Sequence, residues 1–403
     1  MRFRTAIIWN IISQFGQSGI TFLSTIILAR ILTPDDFGII GIVSIFIAFS
    51  QMMVDSEMGG ALLRKKQVDK ADYSTLFYYN LIVSLILYGI LYCTAPLISD
   101  FYGRPQLIEI VRLISLTVII HAFRVVQRII LFRELKFREY AIINVVSGFI
   151  SLGSAICLAS LGYGYWALVW QQIILAICNV VLMGFYTHFV PSFIFSKESF
   201  KYQFSFGISL LGSDTIKTIA NNISTNIIAK IASLQFTGYY TQTSRITNFC
   251  QSTLGSLMDQ SIFPMMAKFD DIGRVRTTYY KILKLVSIAL GCVTILFVLF
   301  AYQIIYIVLG KEWVEATWMF QLLSLTILPT SIQILCRNIM KTLGNTKIVF
   351  YIETVKSLIV ISSLLIATLV GINGVIWSLV ISQVICCLIW IIYTEKSLNG
   401  KTK

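Results

Sequence analysis

The sequence has few charged residues and few histidines, and these shortages exclude several classes of protein. Only 13% of the 403 residues are charged, against about 25% in soluble domains, whereas 57% are hydrophobic and the mean hydropathy is +0.80. Two histidines, His121 and His188, provide no Ser-His-Asp set, and no Gly-rich phosphate loop ending in Lys-Ser/Thr occurs. The eight cysteines lack metal-ligand spacing, so we expect reduced packing residues and no metal or cofactor. The composition predicts a polytopic membrane protein without catalytic residues.

Apolar segments long enough to cross a bilayer recur along the whole chain. A membrane-spanning helix needs about 20 mostly apolar residues, and twelve segments satisfy this, so the predicted fold is all-α. The connector at 187–203 divides them into two groups of six, which predicts lobes at 1–193 and 194–403. The predicted spans are 6–32, 35–56, 74–97, 107–131, 139–161, 164–186, 203–231, 235–262, 279–303, 315–338, 348–370 and 373–394.

The basic residues predict the orientation of these spans. The net charge is +13, but Lys and Arg form short clusters between apolar segments, which argues against a nucleic-acid partner. With the N-terminus inside, 21 Lys/Arg fall on the cytoplasmic side and four on the other. Cytoplasmic loops of membrane proteins carry an excess of Lys and Arg. We therefore expect a multi-pass protein of the cytoplasmic membrane with both termini in the cytoplasm.

One hairpin occurs twice in the chain, 200 residues apart. Residues 24–58 and 224–258 share 11 identities in 35 positions, among them the polar pairs Ser44/Ser244 and Gln51/Gln251. Because an even number of spans separates the two copies, both hairpins have the same topology. The repeat therefore predicts two parallel six-helix bundles, related by an axis along the membrane normal.

The bend of the first hairpin follows from its residues. Thr33 is a good N-cap, Pro34 suits the first helical position, and Asp35 and Asp36 lie where the helix dipole favours acids. Arg30 is in the last turn of the preceding helix, close to these acids. A capping and ion-pairing role is one interpretation of Arg30; guidance of an anionic head group near the outer end is the other.

Polar residues form stripes along several predicted spans, and such side chains usually face protein or a water-filled cavity. Spans 1 and 7 carry them at equivalent positions with the spacing 3, 4 and 3, which predicts that both line one central cavity. Spans 8 and 2 add further polar groups on single faces. The predicted cavity residues are Gln14, Gln17, Thr21, Ser24, Gln51, Asp214, Lys217, Asn221, Ser224, Arg245 and Asn248.

Cations outnumber acids within the predicted spans. Seven Lys/Arg lie inside or at the inner ends of spans, whereas the acids at comparable depth are chiefly Asp214 and Glu353. Span 4 places Arg124 and Arg128 on one face together with His121. Arg128 lies near a cytoplasmic end, so snorkelling to the interface is an alternative for it. A surplus of buried cations predicts an anionic ligand.

The segment "LARILTPDDFGIIGI" resembles the first-hairpin signature of bacterial polysaccharide flippases. These are the Wzx-like members of the multidrug/oligosaccharidyl-lipid/polysaccharide (MOP) superfamily, and the branch most similar exports lipopolysaccharide, colanic acid and teichuronic acid. The resemblance implies a MATE-like fold that alternates between inward- and outward-open states. It also implies a polyprenyl-pyrophosphate-linked oligosaccharide as substrate, membrane lipid around it and polysaccharide polymerase machinery as a partner. Many relatives have fourteen spans, whereas we count twelve.

The residues support a mechanism of this kind without covalent chemistry. Arg and Lys meet phosphate oxygens through charge-assisted hydrogen bonds. We hypothesise that Lys217, Arg245, Arg124 and Arg128 bind the pyrophosphate, and that Asp214 holds Lys217 when the site is empty and takes a proton when it is filled.

Three other functions were weighed against this hypothesis. A cation-coupled multidrug antiporter of the same superfamily is the main alternative, but it needs buried acids rather than cations. A membrane-bound glycosyltransferase or polymerase needs a large outer loop or a catalytic acid motif, and the outer loops are short. A major-facilitator transporter needs a Gly-rich frame around its basic inner-loop motif, which "RKKQVDK" lacks.

Overall fold

The computed structural model describes residues 2–55, 58–258, 266 and 272–400, and every regular element in this part of the chain is a helix. The helices that begin in the first half are α1 (Arg2–Ala29), α2 (Pro34–Asp55), α3 (Met58–Arg64), α4 (Lys70–Tyr102), α5 (Leu107–Ile114), α6 (Leu116–Arg133), α7 (Phe137–Ser160), α8 (Tyr165–Thr187) and α9 (Lys197–Ile231). Those that follow are α10 (Leu234–Leu257), α11 (Ile272–Leu299), α12 (Ala301–Val308), α13 (Thr317–Ser324), α14 (Ile327–Thr342), α15 (Thr346–Ala367) and α16 (Ile372–Gly400), with short 3₁₀ helices at Lys311–Ala316 and Thr368–Val370.

Helices are found at all twelve predicted spans, but they differ in polarity. Eight segments of the described chain are long and apolar enough to cross a membrane. The predicted spans outside these eight are α1, α5 with α6, α9 and α10, which carry most of the predicted polar stripes and cations. The all-helical membrane fold is confirmed, and the count of twelve crossings stays a prediction.

The internal repeat is visible in how helices pack. In the first half, α8 packs on α7 and α6, and α6 packs on α4 and α2. In the second half, α16 packs on α15 and α14, α14 packs on α11, and α10 packs on α13 and α14. We number the spans one to six within each half. The same pairs of spans then pack together in both halves: five with six, four with six, three with four, and two with four. Two bundles built on one plan are therefore confirmed.

The fourth span of each half is broken, which the hydropathy pattern did not predict. The first break lies at Ser115, whose hydroxyl donates to the carbonyl of Val111, and the Val118 N–H bonds the Ser115 carbonyl. The second lies near Thr326, whose hydroxyl donates to the carbonyl of Leu323 at 2.6 Å. Ser and Thr hydroxyls that bond back to preceding carbonyls bend helices. The same device at corresponding places is further support for the repeat.

Both repeated hairpins have the predicted bend. Asp36 Oδ2 accepts hydrogen bonds from the Thr33 N–H at 2.9 Å and the Thr33 hydroxyl at 2.8 Å, and α2 begins at the next residue, Pro34. In the second copy, Ser233 Oγ accepts from the Phe236 N–H at 3.3 Å just before α10. Ser233 is thus an N-cap, whereas at Thr33 it is the Asp36 side chain that accepts from the residue before the helix. The bend is as predicted, and an N-cap bond made by the Thr33 side chain stays a prediction.

Packing divides the chain into two compact units, Met1–Asn222 and Ile223–Lys403. This boundary lies within α9 and not in the connector before it. The lobes predicted from hydropathy, 1–193 and 194–403, differ from these units mainly in the first part of α9, and the assignment of that helix to a lobe stays a prediction.

A buried carboxylate joins the beginning of α9 to the beginning of α4 within the first unit. Asp72 is 3% exposed and accepts from the Lys65 ammonium at 2.8 Å and the Ser199 hydroxyl at 2.6 Å. Gln203 Nε2 donates to the Asp72 backbone carbonyl at 3.1 Å. These bonds account for the presence of this part of α9 in the first unit. We call Lys65, Asp72, Ser199 and Gln203 the α4–α9 clasp.

Candidate functional site

A carboxylate and three basic side chains meet between α2 and α6. Asp55 is the last residue of α2, and His121, Arg124 and Arg128 lie on one face of α6. Arg128 Nη2 donates to Asp55 Oδ1 at 3.3 Å, and His121 Nε2 lies 3.3 Å from Asp55 Oδ2 at an angle outside hydrogen-bond geometry. The side chains of Asp55 and Arg128 are about one-third exposed, and that of His121 is mostly buried. We call these four residues the α2–α6 cluster.

The α2–α6 cluster includes an acid in a strongly apolar part of the chain. Asp55 belongs to a segment, Pro34–Arg64, that is long and apolar enough to cross a membrane. Arg133, at the end of α6, donates to the backbone carbonyls of Leu62 and Lys65, which fixes α6 to α3 and the residue after it. Ionisable groups within membrane-spanning segments are expensive and usually functional.

Asp55 was missed at the sequence level because it lies next to the predicted end of the second span, 35–56. The acids considered at comparable depth were chiefly Asp214 and Glu353, and Asp55 was not among them. One signal could have revealed it: Gln51 and Asp55 are spaced as neighbours on one helix face, and "MGGALL" continues the apolar pattern beyond them.

The α2–α6 cluster retains a positive charge. The carboxylate is within ion-pair distance of one guanidinium, that of Arg128, whereas Arg124 adds a second positive charge nearby, and its Nε is buried without a hydrogen-bond partner in the described part of the chain. A buried donor without a partner costs about 1–3 kcal/mol. An anion that accepts from Arg124 would remove that penalty. The structure thus brings together two of the predicted cations, Arg124 and Arg128, in a place suited to an anion.

The other intramembrane arginine near this site has a different environment. Arg112 lies on α5, its guanidinium carbon is 4.3 Å from the centre of the Tyr92 ring, and its Nε donates to the Tyr92 carbonyl at 3.5 Å. A cation over an aromatic face is stabilised there without an anion. Arg112 is therefore separate from the α2–α6 cluster.

The polar stripe of α1 is mostly accessible. Gln14, Gln17 and Thr21 are exposed, and the Thr21 hydroxyl donates to the Gln17 carbonyl at 2.9 Å. Ser24 is half-buried and accepts a hydrogen bond from Gln171 of α8 at 2.8 Å. Ser24 therefore joins two helices of the first unit, an interaction that the sequence did not indicate. That the stripe lines a central cavity stays a prediction.

The second unit presents one predicted cation on α10. Arg245 and Asn248 are exposed, and their spacing of three places them on one helix face. No carboxylate of the described chain lies within ion-pair distance of Arg245. Ser224 is buried, and Gln251 donates to the Thr326 hydroxyl at 3.0 Å, beside the break before α14. The side chains of Asp214, Lys217 and Asn221 lie outside the described residues.

The outer hairpin holds the last predicted site residue. Arg30 is exposed in the turn between α1 and α2, three residues before the Thr33–Asp36 cap. Gln51, near the other end of α2, is half-buried. The roles of both residues in binding stay predictions.

Comparison with known proteins identifies the family. A family model described as "Polysaccharide biosynthesis protein" matches residues 27–318, which is most of the chain. The chain belongs to this family. Its members and the MOP superfamily comprise transporters and flippases, so the resemblance stated from the first hairpin is confirmed.

Curated relatives of this polysaccharide biosynthesis protein are similar along much of its length. It is 26% identical to the succinoglycan biosynthesis transport protein ExoT of Rhizobium meliloti over 64% of the chain, but spans only about half (52%) of ExoT. It is 22% identical to the lipopolysaccharide biosynthesis protein WzxC of Escherichia coli over 94% of the chain and 77% of WzxC.

Solved structures show the same fold. An inward-facing MATE multidrug transporter of the MOP superfamily matches with a TM-score of 0.72 at 15% identity, covering 97% of this chain and 98% of the transporter. The lipid II flippase MurJ in an inward closed conformation matches with a TM-score of 0.73 at 16% identity, covering 97% and 89%. The MATE/MOP-like fold class that the resemblance implied is therefore confirmed.

Proposed function

We propose that this protein moves a lipid-linked oligosaccharide, carried on a polyprenyl pyrophosphate, from the inner to the outer leaflet of the cytoplasmic membrane by alternating access. The observation that carries the proposal is the α2–α6 cluster, a net positive site in a strongly apolar part of the chain, in a member of a polysaccharide biosynthesis family. The printed names of ExoT and WzxC, a transport and a lipopolysaccharide biosynthesis protein, support it. O-antigen, capsule or exopolysaccharide precursors fit this chemistry, and a polysaccharide polymerase on the outer side is the partner such a product requires.

The chemistry of the substrate explains the composition of the site. A pyrophosphate cannot enter the bilayer interior without compensating cations, and Arg124 and Arg128 provide two guanidinium groups that can each donate several hydrogen bonds. The exposed amides and hydroxyls of α1 and α10 are suited to a sugar chain. The full proposal keeps the sequence-based roles of Lys217 and Arg245 as further ligands of the pyrophosphate and of Arg30 as a guide for the head group at the outer end.

A multidrug antiporter is the alternative because the fold is shared with MATE transporters. Such a protein needs acids that bind organic cations. The α2–α6 cluster has one acid against two arginines and a histidine, which favours an anionic substrate.

Export in cells tests the proposed function. The gene is deleted in its host, and the surface glycan and the inner-leaflet lipid-linked precursor are quantified after complementation with wild type, Arg124→Gln, Arg128→Gln and the control Arg112→Gln. We expect export with wild type and Arg112→Gln, and precursor accumulation with the two cluster variants at equal protein levels. Normal surface glycan in the deletion strain, or full export by an Arg124→Gln/Arg128→Gln double variant, would refute the proposal.

A further inference from the structure

The function proposed above explains the arginines of the α2–α6 cluster but not its acid. Asp55 places a negative charge where an anionic head group is proposed to bind. Its two oxygens face different partners, Oδ1 towards Arg128 and Oδ2 towards His121. A permanent carboxylate at that point opposes the binding of pyrophosphate, so its presence needs a reason of its own.

The geometry indicates that Asp55 is held loosely. Both contacts are 3.3 Å long, whereas charge-assisted hydrogen bonds are usually about 2.7–2.9 Å. One of the two is outside hydrogen-bond geometry. By comparison, Asp72 in the α4–α9 clasp has contacts of 2.6–2.8 Å with side chains. An acid with long contacts and partial exposure can leave its partners at little cost.

We propose that Asp55 is a tethered competitor for the anionic ligand. In the empty protein its carboxylate lies between His121 and Arg128, and a phosphate group of the ligand displaces it and takes over these donors together with Arg124. This inference rests on the proposed function for the identity of the ligand. Its consequence is that Arg128 keeps a counter-ion in the empty protein, and that the returning carboxylate promotes release of the head group.

The charged groups around Asp55 come from one helix. The groups that face Asp55 are His121, Arg124 and Arg128, all on α6; α4, α5 and α8 also pack on α2, and in the described part of the chain they bring no charged side chain within ion-pair distance of Asp55. A ligand that displaces the carboxylate therefore competes with it for the donors of α6 alone.

Binding of inorganic pyrophosphate to the purified full-length protein tests the exchange. Dissociation constants are measured by titration calorimetry at pH 7.5 for wild type, Asp55→Asn, Arg128→Gln and Asp35→Asn. Asp35→Asn is the matched control because it changes the net charge equally, on the same helix, at the exposed outer end. We expect Asp55→Asn to bind about tenfold more tightly, within the usual range of coupling between sites. Arg128→Gln should bind more weakly and Asp35→Asn as wild type.

Several outcomes would overturn the proposal. These are unchanged or weaker binding by Asp55→Asn, an equal gain in Asp35→Asn, and no pyrophosphate binding by wild type. If Asp55→Asn does not fold, Asp55→Ser is measured in its place with the same expectation. Export in cells separates the two proposals. If wild type exports glycan but Asp55→Asn binds pyrophosphate with unchanged affinity, only the competitor role of Asp55 is refuted. If Asp55→Asn binds pyrophosphate more tightly but wild type exports no glycan, only the proposed function is refuted.

Discussion

Replacing Asp72 by Asn should weaken the first unit substantially, because the α4–α9 clasp depends on a carboxylate. The two oxygens accept from the Lys65 ammonium, the Ser199 hydroxyl and the Asp69 N–H, all within 3.0 Å. An amide of the same shape keeps one acceptor and replaces the other with a donor. The Lys65 ammonium and the Asp69 N–H can only donate. The NH2 group of the new amide would therefore lie against at least one of these donors.

The magnitude follows from the burial of these groups. A hydrogen bond to a charged group contributes about 1.5–3 kcal/mol, and removal of one partner from a fully buried ion pair costs about 3–5 kcal/mol. Lys65 is 37% exposed, so solvent partly screens the ion pair and the cost falls below the range for a fully buried pair. We expect Asp72→Asn to cost about 2–3 kcal/mol. For a unit of this size, that lowers the Tm by roughly 5–10 °C.

Thermal unfolding in detergent, followed by a thiol-reactive dye, measures this effect. The matched control is Asp100→Asn, an exposed carboxylate near the other end of the same helix, which should change the Tm by less than about 2 °C. Ser199→Ala should lie between the two, since it removes two hydrogen bonds, to Asp72 and from Gln203, but no charge. A Tm for Asp72→Asn equal to that of Asp100→Asn would refute the view that the clasp stabilises the unit.

The remaining predictions concern topology, the connector between α8 and α9, and the stripe of α1. Reporter fusions after Lys70 and at the C-terminus should report cytoplasm and one after Arg104 the outside; an external C-terminus contradicts the twelve-span count. Phe193, fully exposed in the connector, should contact the inner leaflet, so that Phe193→Asp, unlike Phe193→Trp, lowers the Tm in lipid nanodiscs. Ser24→Val removes one interhelical hydrogen bond worth about 0.6 kcal/mol, so export should persist; its loss would indicate direct contact with substrate.

The hairpin and the repeat were predictable because they depend on local chemistry. At each bend, one side chain accepts a backbone N–H bond from a residue three positions away, Asp36 from Thr33 and Ser233 from Phe236, and no distant contact is required. The two-bundle architecture followed from the same segments, since equal topology in both copies constrains how each half packs. Local rules therefore determined the fold class.

The candidate site was predictable only in part, because its decisive contact joins residues far apart in sequence. Spacing alone placed Arg124 and Arg128 on one face, but their acid, Asp55, is 73 residues from Arg128. Likewise, Ser24 was assigned to a cavity from periodicity, while its hydrogen bond to Gln171 depends on the packing of α1 near α8. Periodicity shows which residues share a face of a helix but not what that face meets.

The two units differ in how their cations are neutralised, and this difference predicts opposite effects on stability. Arg128 has Asp55 as a partner, whereas Arg245 is exposed without a carboxylate within ion-pair distance in the described chain. Arg128→Gln leaves Asp55 with only the poorly aligned His121, and because both groups are about one-third exposed, we expect a cost of about 1–2 kcal/mol, less than for a fully buried pair. The Tm should therefore fall by roughly 3–6 °C. The double variant Arg128→Gln/Asp55→Asn should recover part of this loss in Tm. Arg245→Gln leaves no acid behind, so it should reduce binding of pyrophosphate without lowering the Tm. A fall in Tm for Arg245→Gln as large as for Arg128→Gln would show that Arg245 also neutralises an acid, and the contrast between the units would be wrong.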